Sequence, residues 1–411
     1  MTVVFDRPYQ FLPPHRGTLW PAVIQTFRLV DLYLKCKEGV VSYECRDLHH
    51  LRHSLDRGDG ILLAPNHCRY ADPLVLGWPA RELRTNIYAM ASWHLFNKGR
   101  FDAFAIQKMG GFSIHREASD RQALETAIEI LVTADRPLVL FPEGTTNRSN
   151  DVLKPLLDGV SFIARAAARR REKKCKGQVV MHPVGIKYLC TEDIQPWANE
   201  QLSIMEQRLG WQTPPQLSIL QRTERLVSGV FALREVQYLG DVKSGTLTQR
   251  RDALIADVLL RIESRLKIEP KDNDIRNRVR GIRSDVATRL FQSDAVLETK
   301  EEMQLRQDVV AADMVQEMVS CPESYLQADL VSDTRIVETI QRMQDALLGK
   351  ADCGVPLRVV IQFGEAIKVP AAKAPKDGTD PLMVQLQDRL SVMLETLSRD
   401  ARPMADDRHG N

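Results

Sequence analysis

Short apolar runs alternate with amphipathic stretches between residues 60 and 190. Four of these runs have the length and the bounding Pro, Gly, Asn or Asp residues of buried strands. They are GILLA (60–64), NIYAMA (86–91), RPLVLF (136–141) and VVMHPVGIKY (179–188). A helical apolar repeat over residues 119–135 separates the second run from the third. This alternation predicts an α/β fold, a sheet flanked by helices with ligands bound in the loops beyond the strand ends.

The apolar period changes to that of helices between residues 195 and 350, and strand patterning returns in VPLRVVIQFGEAIKVP (355–370). A last amphipathic helix begins at Asp380-Pro381. Because the late strand needs a sheet to join, we predict an α/β domain interrupted by a large all-helical insertion. The predicted units are an N-terminal helical segment (1–50), an α/β core (51–194), the helical insertion (195–350), a return of the chain to the core (351–400) and a flexible tail (401–411).

The N-terminal segment predicts one amphipathic helix that begins near Pro21. Its apolar stripe contains Val23, Phe27, Val30 and Leu34. Such a helix either packs on the core or lies on a membrane surface, and the sequence leaves both interpretations open. No run of about 18 apolar residues predicts a membrane-spanning helix, and the first residues show no signal peptide.

Composition and charge narrow the class of protein. The length of 411 residues indicates two or three structural units, and a 44% hydrophobic content is ample for a real core. Seven cysteines without a C-x-x-C pair favour reduced thiols in a cytosol, and H-H-L-R-H (49–53) lacks matching ligands, so we expect no metal site. Residues 1–190 carry eight excess positive charges and the remainder six excess negative charges. This imbalance suggests an anionic partner or surface and is too small to indicate nucleic acid.

The most basic run, A-R-A-A-A-R-R-R-E-K-K-C-K (164–176), has two interpretations. It is either a solvated helix end or a contact with anionic lipid headgroups or donor phosphates.

Three clusters carry residues with catalytic or binding chemistry. N-H-C-R-Y-A-D follows the first strand, so His67 is a candidate general base with Asp72 to orient its ring. Gly111 and Arg116 lie in M-G-G-F-S-I-H-R, where the arginine is suited to clamp a phosphate. The run V-L-F-P-E-G-T-T delivers Glu143 at a strand end, where a carboxylate can orient a substrate hydroxyl. Backbone N–H groups beside Gly144 are candidate donors to an oxyanion or phosphate. Taken singly, each cluster also has a purely structural explanation, such as an N-cap for Asp72.

In order and spacing, four blocks resemble the glycerolipid acyltransferase family, which includes the lysophosphatidic acid and glycerol-3-phosphate acyltransferases. The matching blocks are Asn66–Asp72, Gly111–Arg116, Phe141–Thr145 and Val180–Ile186. The chain departs from the family pattern at Arg69, where many members have Ser, and at Thr146, where many have Arg. Both departures lie near the expected acceptor site, so they leave the acceptor's identity open.

The resemblance implies direct acyl transfer with His67 and Asp72 as catalytic residues and Arg116, Glu143, Gly144 and Thr145 at the acceptor phosphate. It implies acyl-CoA or acyl-carrier protein as co-substrate and no other cofactor. The acceptor would be a lysophospholipid or glycerol phosphate, first of all 1-acyl-glycerol-3-phosphate, taken up at an anionic membrane surface on its cytoplasmic face. A non-catalytic lipid-binding scaffold on the same fold and a metal-assisted hydrolase remain alternatives.

Overall fold

The computed structural model of the protein describes residues 7–97, 99–117, 120–146, 148–174, 177–270, 272–291, 298–319, 323–327, 331–375 and 378–404. These residues form an eight-stranded sheet with helices packed against it. The strands are β1 Val40–Arg46, β2 Gly60–Pro65, β3 Tyr88–Ser92, β4 Gly111–Ile114, β5 Leu138–Val139, β6 Val179–Cys190, β7 Leu357–Phe363 and β8 Ile367–Lys368. Their order across the sheet is β1-β7-β6-β2-β5-β3-β4, with β8 also paired to β6.

The helices of the described residues fall into three groups along the chain. Those before β6 are α1 Leu19–Thr26, α2 Leu29–Glu38, α3 Leu48–Asp56, α4 Asp72–Val75, α5 Gly77–Glu82, α6 Arg100–Lys108, α7 Arg121–Thr133 and α8 Gly159–Lys173. Those between β6 and β7 are α9 Gln195–Arg208, α10 Ile219–Leu239, α11 Leu247–Leu266, α12 Ile275–Phe291, α13 Thr299–Val319 and α14 Asp333–Leu348. The last helix is α15 Pro381–Ser398.

The centre of the sheet is buried on both faces. Every residue of β2 and β6 is buried, and successive residues of β2 enter different apolar clusters. Ile61 and Leu63 pack with α9, α10 and α14, whereas Leu62 and Ala64 pack with α7, α8 and α15. Continuous apolar runs are typical of parallel strands covered on both sides. The predicted α/β class is confirmed, and the four apolar runs correspond to β2, β3, β5 and β6.

The helices α9–α14 lie between two strands that are direct neighbours in the sheet. β7 runs antiparallel to β6, with Val359 opposite Tyr188, so the chain leaves the sheet and returns beside the same strand. Leu202 of α9, Leu226 of α10 and Ile340 of α14 belong to the apolar cluster that covers the sheet, whereas α11, α12 and α13 form a cluster largely of their own. The predicted all-helical interruption is therefore present, and half of it is part of the domain core.

The N-terminal segment differs from its prediction in two ways. The single helix is divided into α1 and α2, because Arg28 adopts the left-handed conformation with φ 49°. The predicted stripe is divided as well, since Leu34 is fully buried whereas Phe27 is 70% exposed. The segment 1–50 also contains strand β1, which pairs in parallel with β7 at the edge of the sheet. None of the helices described is both long and apolar enough to cross a membrane.

The start of the predicted flexible tail is ordered. The backbone N–H of Asp333 donates to the carbonyl of Arg402 at 3.0 Å, and Met404 N–H donates to Val331 at 3.1 Å. The Arg402 guanidinium also pairs with Asp333 at 3.0 Å. These bonds attach residues 402–404 to the start of α14, and residues 405–411 lie outside the described part of the chain.

All four arginines of the basic run have partners within the protein, including Arg169, which donates to the Ala371 carbonyl at 3.3 Å. Arg165 forms an ion pair with Asp380 at 2.6 Å, and Arg171 donates to the carbonyls of Val132 at 2.9 Å and Gly58 at 2.7 Å. Arg170 pairs with Glu125 of α7, with Nη2 and Oε2 2.9 Å apart. Residues 175 and 176 of the run lie outside the described chain. The basic pattern therefore mainly attaches α8 to its neighbours.

Candidate active site

The predicted site residues follow three strands and meet at one edge of the sheet. His67 and Asp72 follow β2, Arg116 follows β4, and Glu143 follows β5. These strands run parallel in the order β2-β5-β3-β4. Because the carboxyl ends of parallel strands share one edge, loops far apart in sequence converge there.

His67 and Asp72 form a buried pair. The Nδ1 of His67 lies 2.8 Å from the Oδ2 of Asp72, and Asp72 is completely buried at the start of α4. The same carboxylate accepts the backbone N–H of Arg69 at 2.9 Å and the hydroxyl of Tyr188 at 2.8 Å. The five-residue spacing works because the chain turns between Arg69 and Asp72 and brings the carboxylate back to the ring.

The environment of His67 keeps its imidazole neutral and basic at one nitrogen. Asp72 accepts a hydrogen bond from Nδ1–H, so the lone pair is on Nε2. Burial lowers the pKa of His67 below its ordinary value of 6.5, although Asp72 opposes this shift. The ring stacks on Phe141 with 3.9 Å between centroids, which fixes its plane. A neutral ring with a free Nε2 is the state required of a general base.

Glu143 holds the loop that carries His67. It is 1% exposed, its Oε1 accepts the backbone N–H of His67 at 2.6 Å, and its Oε2 accepts that of Lys154 at 3.0 Å. Burial raises the pKa of this carboxyl to about 7 against the effect of those two bonds. Since both oxygens are engaged, the geometry makes Glu143 a positioning residue, and its predicted contact with substrate stays a prediction.

Gly144 connects Glu143 to the exposed Arg116. Its own N–H donates to the carbonyl of Phe141 at 3.1 Å, so this amide is engaged within the protein. An oxyanion donor among the backbone N–H groups beside Gly144 stays a prediction. Its carbonyl accepts Nη1 of Arg116. The residue adopts φ 73°, and a Cβ there would lie 2.5 Å from Leu157 Cδ1, so glycine suits the position.

Lys154 is a site residue that the motif analysis overlooked. Its Nζ donates to Oγ1 of Thr145 at 3.2 Å and to the carbonyl of Thr146 at 3.3 Å. Burial lowers its pKa to about 8, although Glu143 opposes the shift. The lysine lies in L-K-P-L-L-D-G-V (153–160), outside the four blocks that carry the resemblance.

Two asparagines attach the active-site loops to β6. The side-chain amide of Asn66 accepts Ile186 N–H at 2.7 Å and donates to the Ile186 carbonyl at 3.0 Å. Asn150 makes the same pair of bonds to Tyr188, at 3.0 and 2.6 Å. Both side chains therefore bind the backbone as another strand would, and they position Tyr188 for its bond to Asp72.

Within the part of the chain that the structure describes, no three His, Cys, Asp or Glu side chains form a group able to hold a metal ion. The absence of any cofactor requirement remains a prediction.

Comparison with known proteins agrees with this geometry. Residues 44–187 match the family model described as Acyltransferase. This segment is an acyltransferase domain. A stretch of 110 residues is also 33% identical to a protein named 1-acyl-sn-glycerol-3-phosphate acyltransferase from Streptococcus pneumoniae (strain ATCC BAA-255 / R6). That match takes in 27% of this chain and 38% of the relative, so the chain spans well under half of the relative's length.

The acyltransferase domain extends from within β1 to within β6 and contains every predicted site residue. The resemblance inferred from four motifs is thereby confirmed. Helices α9–α14 follow the matched segment.

Proposed function

We propose that this protein is an O-acyltransferase of glycerophospholipid synthesis. It moves a fatty acyl group from an acyl thioester, acyl-CoA or acyl-carrier protein, to the hydroxyl of a phosphorylated glycerol acceptor. The observation that carries the proposal is the buried pair of His67 and Asp72, 2.8 Å apart at the end of β2. The first acceptor to test is 1-acyl-glycerol-3-phosphate, which the name of the pneumococcal relative includes. Glycerol 3-phosphate and other lysolipids are the alternatives.

The proposed reaction needs one base and no covalent acyl-enzyme. Nε2 of His67 takes the hydroxyl proton as the acceptor oxygen attacks the thioester carbon, and Asp72 stabilises the imidazolium that forms. The tetrahedral intermediate then collapses as the carbon–sulfur bond breaks. The departing sulfur takes the proton from His67, which returns the base to its neutral state.

Arg116 is the proposed ligand of the acceptor phosphate. Its side chain is exposed at the edge of the site and is oriented by the Gly144 carbonyl. After burial and the opposing effect of Asp72, the charges of Arg116 and Lys154 are the next influences on the pKa of His67. Both cations therefore lie near the base, and a guanidinium matches the geometry of phosphate oxygens.

We also propose that α1, α2 and α6 form the membrane-contacting surface, on the cytoplasmic face. Leu19, Phe27 and Leu32 are 72%, 70% and 62% exposed, and Phe101 of α6 is 80% exposed. Trp20 and Phe104 join α1 to α6 through an edge contact with 5.1 Å between ring centroids. Exposed basic side chains accompany these apolar ones; they are Arg28, Lys35 and Lys37. Apolar side chains beside Lys and Arg are typical of protein surfaces that enter the lipid interface.

The test is acyl transfer by the full chain in liposomes that contain the acceptor. Acyl-CoA and acyl-carrier-protein donors are each assayed against 1-acyl-glycerol-3-phosphate, glycerol 3-phosphate and other lysolipids. We expect acceptor-dependent release of the thiol, which His67→Ala reduces by about 10²–10⁴-fold. His53→Ala, a change of an exposed histidine on α3, is the matched control.

Two outcomes would replace this proposal. If no combination of donor and acceptor gives acyl transfer, the result would favour a lipid-binding scaffold on the acyltransferase fold. Hydrolysis that needs no acceptor and stops with a chelator would favour a metal-assisted hydrolase.

A further inference from the structure

A cavity of about 600 Å³ lies between the active-site loop and the helical insertion. Its volume falls within the range of about 300–1,000 Å³ that is typical of small-molecule sites. Apolar side chains of α10, α13 and α14 and of the segment before α14 form much of its wall. They are Val227, Phe231, Met314, Met318, Leu326 and Met343. The opposite wall is formed by Cys68, Arg69 and Tyr70 of the active-site loop.

Arg69 places a buried positive charge in this wall. The residue is 2% exposed, and none of its three guanidinium nitrogens has a hydrogen-bond partner among the described residues. The guanidinium lies over the ring of Tyr188, 5.1 Å from the centroid. Glu338 is near enough to affect its pKa, yet the described side chains form no ion pair to Arg69. Buried cations are normally paired, because an unpaired one loses its hydration without compensation.

This cavity is separate from the proposed phosphate site at Arg116. The backbone N–H of Arg69 and the hydroxyl of Tyr188 both donate to Asp72, so the Arg69 side chain lies on the Asp72 side of the catalytic pair. His67 is not among the lining residues. Arg116 lies instead beside Gly144.

We propose that the cavity binds a single-chain anionic lipid, with its carboxylate or phosphate against Arg69 and its hydrocarbon chain among the side chains of the insertion. A neutral lipid would leave the guanidinium unpaired, and a small anion without a chain would leave the apolar wall uncovered. Methionines at three positions suit a hydrocarbon chain, because their unbranched side chains adapt to its shape. The bound head group would contact the loop that holds Asp72, on the opposite side from the acceptor phosphate.

The test measures binding by calorimetry with the full chain, without detergent and without acyl donor. The probes are dodecanoate, its neutral counterpart 1-dodecanoylglycerol, and 1-dodecanoyl-glycerol-3-phosphate, all kept below the concentration at which they aggregate. Each probe is also titrated into Arg116→Met, because 1-dodecanoyl-glycerol-3-phosphate can bind the proposed acceptor site too. In that variant we expect saturable 1:1 binding of at least one anion, and binding of the neutral probe weaker by about 10- to 100-fold. The anion that binds more tightly shows whether the ligand of the cavity is a free fatty acid or a lysophospholipid.

Two variants locate the bound lipid. Arg69→Met keeps the bulk of the side chain and removes its charge. It should therefore weaken binding of the anionic probes by about 10- to 100-fold and leave the affinity for the neutral probe unchanged. Met343→Trp fills the apolar end of the cavity and should weaken the binding of all probes. Arg52→Met, a change of an exposed arginine on α3, should alter none of them.

Absence of saturable binding, equal affinity for the neutral probe, or binding unaffected by Met343→Trp would each overturn the proposal. The last two criteria hold even if Arg69→Met fails to fold. Since no acyl donor is present and Arg116→Met lacks the proposed ligand of the acceptor phosphate, binding to the cavity is separated from acyl transfer, and either proposal can fail without the other.

Discussion

The active site and the N-terminal helices differ in which kind of side chain they bury and which kind they expose. At the active site, the carboxylates of Asp72 and Glu143 are buried and paired; Asp72 accepts four hydrogen bonds and Glu143 accepts two. In α1 and α2, by contrast, large apolar side chains are exposed. A paired polar network holds a base in one orientation, whereas an exposed apolar surface gains free energy only when something covers it. Chemistry is therefore expected in the first region and lipid contact in the second.

The largest expected effect comes from breaking the catalytic pair. Asp72→Asn removes the charge that fixes the tautomer of His67 and stabilises its protonated form. We expect kcat to fall by about 10²–10⁴-fold with little change in KM. Steady-state kinetics of this variant and of the exposed control Asp56→Asn, with circular dichroism of both, would check it. A nearly active Asp72→Asn enzyme would remove Asp72 from the mechanism.

Loss of the proposed phosphate ligand should act on binding instead. Arg116→Met removes the guanidinium, so we expect KM for the phosphorylated acceptor to rise by about 10- to 100-fold while kcat changes little. Arg121→Met, at the exposed start of α7, is the control. An unchanged KM would place the phosphate elsewhere, and thermal unfolding of both variants shows whether loss of the bond to Gly144 disturbs the loop.

The pH dependence tests whether His67 acts in its neutral form. A protonated Nε2 has no lone pair, so kcat/KM should fall about tenfold per pH unit below the pKa of His67 and be level above it. Because burial lowers that pKa, the midpoint should lie below 6.5. Glu143 has its pKa raised to about 7, so the profile is repeated in Glu143→Gln to exclude its titration. A midpoint above 6.5 in both proteins would contradict the proposed state of the base.

A smaller effect, on stability, is expected from changing Glu143, whose carboxylate holds the loop that carries His67. In Glu143→Gln the side-chain oxygen can accept only one of the two backbone N–H groups, and the amide NH₂ faces the other. We expect the free energy of unfolding to fall by about 1–3 kcal/mol, measured by denaturant titration. Glu129→Gln on α7 is the matched control. Unchanged stability would show that the two bonds to His67 and Lys154 do not hold the loop.

Substitutions in α1 and α2 are expected to have the smallest effect on the chemical step. A triple Leu19→Ser, Phe27→Ser, Leu32→Ser variant should bind anionic vesicles about tenfold or more weakly and retain kcat with a water-soluble acceptor. Vesicle sedimentation measures the binding. The control is Arg169→Gln with Arg170→Gln on α8, which should leave it unchanged. If the α8 variant loses binding instead, the basic run is the membrane contact.

Patterns that depend on neighbouring residues were predictable. The alternation of strands and helices follows from local hydrophobic periods, and β2 and β6 lie where their apolar runs placed them. The pairing of His67 with Asp72 was predictable too, because a five-residue loop before a helix leaves few ways to place the carboxylate. The same cannot be said of Glu143, whose partner His67 is 76 residues away.

The proposed membrane-contacting surface is a feature that sequence patterns left undecided. The basic run on α8 and the apolar stripe near Pro21 were both candidates for lipid contact. The four arginines of α8 have partners on other segments, and the division between α1 and α2 exposes Phe27 while burying Leu34. Whether a side chain faces lipid or protein depends on what packs against it, which periodicity does not report.

The sequence by itself therefore determined the α/β class, the helical interruption, the proximity of His67 and Asp72 and the strand ends that carry the other predicted site residues, because each depends on short-range spacing. Only the tertiary structure decided that Tyr188 bonds to Asp72, that Glu143 braces His67, and that Arg69 faces a cavity built by the insertion. Those contacts join residues that are distant along the chain. They depend on strand order, register and helix packing, which arise when the whole chain folds.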